Sequence, residues 1–452
     1  MYPASGCDIF STLNERSQST GETRMVGEQD QKNVINRIQR EELAELTKAL
    51  VDIPSPTGSE KAIGEFILDW HSRHGIKPVR QEIDPNRINA VGIVRGRGDG
   101  VTLMINGHMD TSYTGTEEDR MFCRELEPDS ELRGAVRDGK VFGLGASNMK
   151  SGLAAFMVAG KAIRESGLTL RGDLILAAVA GEISRTPVGP YQSGAYRGEG
   201  TGTHHLLSHG VQSDCAIVAD RSAHSIVWAQ TGVAQIKVTT FGDPHAAWGV
   251  TRAEKSPEVS SAILKMIRVA QAVDNWAAEF ESAHVYRSPH GPIVPKVNIG
   301  AIQGGAPFRP NYYPGVCSLY VDVRTPPDLR PLQVQRELQA ALAKLGVEYE
   351  LDMYASKMGY EAKGVEPMVR VIEESYQSLF GKKTPAPTGL HASIWTDTNI
   401  YNEMGIPACK FGLGGGRWKF RSEQIDVEDI FRGAQVYALA ALEICNWEKL
   451  PG

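Results

Sequence analysis

Short polar clusters stand at the ends of apolar runs and hold the side chains best suited to chemistry: Asn106-Gly107-His108-Met109-Asp110, the turn around Asn148, Gly181-Glu182, and Asp220. Carboxylates, an amide and an imidazole gathered at strand ends suit acid/base work. Glu182, next to Ile183, would keep its proton to a higher pH if buried there. The other reading of Glu182 is a solvated carboxylate at a strand end. The stretch Val141–Phe156 (VFGLGASNMKSGLAAF) is built as a strand exit, a glycine-bearing turn and the start of an apolar helix. Asn148 in that turn either caps the helix or points into a cleft.

The elements that must position these groups follow from periodicity. Asn89–Val94, Val101–Ile105, Asp173–Ala180 and Cys215–Val218 alternate or run apolar as strands. Helix patterns run from near Val34 to Val51 and onward from Ser59, a cap candidate. Strands alternating with helices predict an α/β sheet with its site at the strand C-termini. From Thr231 the character changes. Gly232–Thr240, Lys296–Ile302, Cys317–Val323 and Glu348–Tyr354 read as strands, and Ser256–Val273 and Leu329–Leu345 as helices. That order, β-α-β-β-α-β, is the split pattern of a small ferredoxin-like domain. Beyond Glu361 the first style resumes with helix Pro367–Leu379 and strand Ala408–Phe411. The expected organisation is a loosely ordered extension (1–33) and a hydrolase-like α/β catalytic domain in two segments (34–230 and 356–452). A small domain (231–355) is inserted between them.

A chain of 452 residues exceeds one ordinary core, in keeping with two domains. Net charge of −6 without a long single-sign tract argues against nucleic acid and anionic membrane as partners. The six cysteines are scattered with no CxxC pair, which predicts free thiols and a cytoplasmic setting. No run approaches the ~20 apolar residues of a membrane span.

The ordered motifs SPTGSE (55–60), NGHMDTS (106–112), FGLGASNMKSG (142–152), AGEIS (180–184), AIVAD (216–220), FGDPHAAW (241–248), DVR (322–324) and GIPACKFGLGGG (405–416) resemble the aminoacylase, acetylornithine deacetylase and glutamate carboxypeptidase family of dinuclear zinc hydrolases. The resemblance implies a catalytic α/β domain with a lid that dimerises in many members. The expected function is that of an enzyme acting on a small carboxylate-bearing amide or amino-acid-like molecule, the alternative being a catalytically inactive small-molecule-binding or regulatory homologue. In the family, two zinc ions sit on a His, a bridging Asp, a Glu, a second acidic residue and a final His. His108 and Asp220 match the first and fourth ligands, and Asp110 matches the residue that orients the histidine. Glu182 matches the general base. His245 matches a lid histidine that contacts substrate across the dimer, and Asn311 matches a substrate contact. Arg324 reads either as a substrate contact or as a structural ion pair.

The remaining ligand positions depart from the pattern: Asn148 stands for the bridging Asp, Ile183 for the Glu, and Lys419 for the final His. A bridging ligand must present two anionic oxygens, which an amide lacks, and isoleucine has no lone pair. An ammonium repels a neighbouring cation by a few kcal/mol at about 4 Å in a partly screened site. A metal-free site, or one with at most a single zinc or manganese on His108 and Asp220, is therefore expected. Lys419, flanked by Arg417 and Arg421, either stabilises negative charge in place of a metal or is an ordinary surface residue, the reading that fits Arg421 better. The Gly412–Gly416 cluster, with Gly414 at its centre, reads as close backbone approach to the site. A base and an electrostatic partner suffice for elimination or isomerisation as well as hydrolysis. His204, His205 and His391 lie in loops and match no ligand.

Overall fold

The apolar runs that end in the polar clusters lie side by side in one seven-stranded sheet. The computed structural model describes residues 27–122, 132–249, 251, 260–414 and 423–451. The centre of the sheet is parallel, in the order Leu174–Val179, Leu103–His108, Cys215–Val218, Ala408–Phe411. Every residue of these four strands is buried, which is why they read as unbroken apolar runs. Because they run the same way, their C-terminal ends share one edge, and His108, Glu182 and Asp220 emerge there. Arg87–Val94 and Lys77–Asp84 extend one side antiparallel, and Ile226–Val227 closes the other.

Helix Ser151–Glu165 (SGLAAFMVAGKAIRE) is apolar on most faces because it is covered on most faces. It packs between helices Arg40–Val51 and Val427–Ile444. Leu153 and Phe156 are fully buried in that layer, each contributing about 1.5–3 kcal/mol of hydrophobic stabilisation.

A second sheet of four antiparallel strands has the order Lys296–Gly304, Val316–Thr325, Gly232–Phe241, Tyr349–Lys357. Helices Ala262–Ala283 and Pro331–Ala343 cover it and enclose a separate core that includes Ile236, Met266, Leu319 and Leu338. This is the expected ferredoxin-like lid. Among the described residues, no helix is long and apolar enough to cross a membrane.

Several local expectations need correction. Helix Glu28–Ile35 begins inside the stretch read as loosely ordered, and the pattern from Val34 to Val51 is two helices, with Arg40–Val51 entered from an extended Gln39. Ser59 does not cap the next helix; Glu60 stands at that position. Strand Lys77–Asp84 escaped the sequence reading because it is a largely exposed edge strand with little apolar content.

His71, in helix Lys61–Arg73, is fully buried with neither ring nitrogen hydrogen-bonded. Burial, aided by His74, pushes its pKa from 6.5 down to about 3. The unfolded chain therefore binds a proton that the folded one refuses between these values, and stability falls as pH drops through that window. At pH 5 this group costs about 2 kcal/mol. His71→Phe should narrow the gap in Tm between pH 7.5 and pH 5. An equally wide gap in the variant would contradict the assignment.

Candidate active site

Asp110 is the hub. Its buried carboxylate accepts the Thr57 hydroxyl (2.7 Å) and the backbone N–H groups of Glu182 (3.0 Å) and Ile183 (3.1 Å). His108 Nδ1 lies 2.9 Å from the Asp110 carbonyl and 3.4 Å from its carboxylate. Two strand ends are thus tied to one side chain. Burial alone would raise the Asp110 pKa, but these donors hold it below the ordinary carboxylate value.

With Nδ1 engaged as a donor, His108 turns Nε2 toward Asn148 Oδ1 (3.3 Å) and Glu182 Oε2 (3.6 Å). Asn148 does not cap the following helix; its side chain faces the histidine. Its loop turns at Gly145, whose φ of +84° suits glycine, and its Asn148–Met149 peptide bond is cis. Glu423 Oε2 holds the loop by accepting Ser147 N–H (3.1 Å), Ser147 O–H (3.1 Å) and Asn148 N–H (2.9 Å). Lys150 secures the far end by donating to the carbonyls of Leu50 (3.0 Å) and Ile53 (2.7 Å). If Nε2–H donates to Asn148 Oδ1, the amide NH₂ is left without an acceptor among the described residues.

Burial raises Glu182 well above the usual carboxylate range; the charge of His108 opposes this, and Asp220, Asp397 and Asp110 add to it. Burial opposes protonation of His108, but Glu182, Asp110 and Asp220 outweigh it and hold the imidazole well above its ordinary value. Asp397, buried behind the site, is pushed up to about 7 by desolvation. Acids crowded in a dry place keep protons that water would strip from them.

Asn148, Glu182, Asp220, Arg221, His391 and Trp395 line one cavity of about 300 Å³. A larger cavity, of about 930 Å³, is lined by Lys48, Asp52, Ser55, Thr111, Arg133 and Lys150, among others. It contains none of Asn148, Glu182 or Asp220, so the smaller one is the candidate site.

Several residues in or beside the cavity wall escaped the sequence reading. Lys410, fully buried, has Nζ 3.6 Å from Asp220 Oδ2 and 3.3 Å from the His391 carbonyl. Burial lowers its pKa against the pull of Asp220 and Glu182. The available signal was a lysine inside the apolar strand ACKF. Arg221 was visible only as the neighbour of Asp220. Lys357, which ends a strand of the lid, donates to the Glu199 carbonyl (2.6 Å) and lies 4.7 Å over the Trp395 ring.

Other expected site residues are placed elsewhere. His245 sits in the lid, its Nδ1 2.7 Å from the Asp243 carbonyl and its ring beside Tyr313. Asn311 is exposed and bonds the same loop through Ala247. Arg324 makes a two-point ion pair with Asp322, so it is a structural partner within the lid sheet. Gly414 packs against Asp429, where an added Cβ would lie 2.4 Å from its carboxylate. Gly412 makes the close approach instead, 2.0 Å from the Asp220 carbonyl by the same measure. Lys419, Arg417 and Arg421 lie outside the described residues. His391 does reach the cavity.

These side chains do not fit a two-metal centre. Asn148 offers one neutral oxygen, already facing His108; position 183 is apolar; and Asp220 is held by an ammonium. Among the described residues, no three His, Cys, Asp or Glu side chains group so as to hold an ion.

The sequence model of peptidase family M20/M25/M40 matches residues 104–443. An N-formyl-4-amino-5-aminomethyl-2-methylpyrimidine deformylase of Halalkalibacterium halodurans is 27% identical over 450 residues, covering 91% of this chain and 96% of its own. Its Bacillus subtilis namesake is 28% identical over 321 residues, 68% of each chain. The solved structure of human carnosine dipeptidase 1 superposes with a TM-score of 0.68 at 14% identity, covering 92% of this chain and 98% of that one. The chain belongs to peptidase family M20/M25/M40, a family of hydrolases.

Proposed function

We propose that the protein hydrolyses the C–N bond of a small amide in the Asn148–Glu182–Asp220 cavity without a two-metal centre, accepting at most one divalent ion on His108 and Asp220. The observation that carries this reading is the convergence of Glu182 and Asn148 on one small cavity, with His108 between them. Glu182 removes a proton from water as the water oxygen bonds to the carbonyl carbon. The C=O electron pair moves onto oxygen, where Asn148 Nδ2–H donates to it and the positive charge of His108 stands near. Collapse restores the C=O bond and breaks C–N, and the proton held by Glu182 passes to the departing nitrogen. An acid and an amine result. The deformylases among its relatives act on a small acylated amine, in keeping with a cavity at the small end of ligand sites.

The same proposal includes a homodimer through the lid, whose edge strand Lys296–Gly304 exposes Ile299 and Ile302. It also includes a cytoplasmic setting, supported by buried free thiols at Cys215, Cys317, Cys409 and Cys445.

The test is amine release from a panel of N-formyl and N-acetyl amines and amino acids, with and without EDTA. Release that survives the chelator is expected. Abolition by EDTA with recovery at two equivalents of zinc would overturn the metal-free chemistry, and no release from any substrate would overturn the hydrolase assignment.

A further inference from the structure

We propose that Lys150 is a second reactive centre: its side-chain amine, set in the wall of the larger cavity, takes small aldehydes as an imine. The site is separate from the Asn148–Glu182–Asp220 cavity and does not rest on the hydrolase reading. Lys150 Nζ donates to the carbonyls of Leu50 (3.0 Å) and Ile53 (2.7 Å), and among the described residues it makes no other hydrogen bond and no ion pair. A neutral amine has two N–H groups and one lone pair. Two carbonyls therefore satisfy its hydrogens in full and leave the lone pair over, whereas an ammonium would hold a third N–H without an acceptor among the described residues.

The side chain is 1% exposed, and it lines the cavity of about 930 Å³ together with Ser55, Thr111 and Leu144. Burial lowers its pKa from 10.5 to about 7, against the pull of Glu423, Asp52 and Asp110. A lysine desolvated in this way is an activated amine nucleophile. Lys48 lines the same cavity and supplies the contrast. Its Nζ lies 2.6 Å from Asp52 Oδ2, and that carboxylate holds its pKa above the ordinary lysine value. One wall thus carries a paired ammonium and an amine without a counter-ion.

The reaction needs no co-reactant beyond the aldehyde and solvent. The Lys150 lone pair bonds to the aldehyde carbon, and the C=O electron pair takes a proton released by the nitrogen. A solvent proton then lets the hydroxyl leave as water, and the nitrogen ends as a protonated C=N. One N–H remains on it, enough for the Ile53 carbonyl, while the Leu50 carbonyl still receives the Ile53 backbone N–H (3.3 Å).

The test treats the full chain with one equivalent of pyridoxal 5′-phosphate and, in parallel, of propanal. Borohydride traps each product by adding hydride to the imine carbon, and peptide mass spectrometry reads the label on every lysine. With either probe, Lys150 is expected to carry at least about tenfold more label than Lys48. Label spread evenly over the lysines, or absent from Lys150, would overturn the proposal. A preference for Lys150 seen with pyridoxal 5′-phosphate alone would overturn it too, because it would mark a seat for the phosphate and not a reactive amine. The comparison is made within wild-type protein, so its outcome does not depend on the folding of a variant.

Discussion

Glu182→Gln is expected to lower kcat by about 10²–10⁴-fold while leaving KM and Tm nearly unchanged. The substitution keeps the shape of the side chain and removes only its capacity to take a proton. The anchor of this segment is a backbone N–H donated to Asp110, which the change does not touch. The carboxylate sits in a cavity wall 3.6 Å from His108 Nε2. Steady-state kinetics on whichever N-acyl substrate gives release, together with a thermal melt, make the comparison. A variant retaining more than a tenth of wild-type kcat would remove Glu182 from the mechanism. A fall in kcat matched by a collapse in Tm would place the residue in the fold instead.

Asp110→Ala should be the most damaging single change to structure and activity together. It strips the acceptor from Thr57 O–H and from two backbone N–H groups, and the counter-charge from His108, all in a buried region. Removing one partner of a buried charged network costs on the order of 3–5 kcal/mol, or about 3–5 °C in Tm for a chain of this size. Activity should fall further than stability requires, because the Glu182 backbone loses its anchor and His108 its counter-charge. Asp110→Asn should fall between the two, since it keeps volume but must turn an NH₂ toward donors. Melts and kcat measured on the same preparations decide the point. A Tm within 2 °C of wild type with intact turnover would show that the hub is dispensable.

Much of this architecture can be read from the chain. Cys215–Val218 and Ala408–Phe411 are strands because short apolar runs covered on both faces have little else to become. His108, Glu182 and Asp220 are legible as strand-end residues of one sheet edge, and Asn148 as an amide where a carboxylate was expected. The pairing of Asp220 with Lys410 is not legible, since it depends on the register of strands almost two hundred residues apart. The same limit hid Glu423, whose bonds to Ser147 and Asn148 cross a still longer span. Charge was expected beside the site from Lys419, which lies outside the described residues; Lys410 and Arg221, which the sheet also delivers there, were not foreseen. Lid residues such as Arg324 could be matched by motif, yet a motif does not reveal that Asp322, two residues away on the same strand, already holds the guanidinium.

The last residue of a lid strand, Lys357, rests its ammonium on the indole of Trp395 and grips the Glu199 carbonyl of the larger domain. Trp395 also lines the cavity, so the smaller sheet touches the cavity wall through one ring. Tilting that strand end away lifts the lysine from one face of a ring whose surroundings include Glu182 and Asp220. The two halves of the molecule share a tryptophan as their gauge.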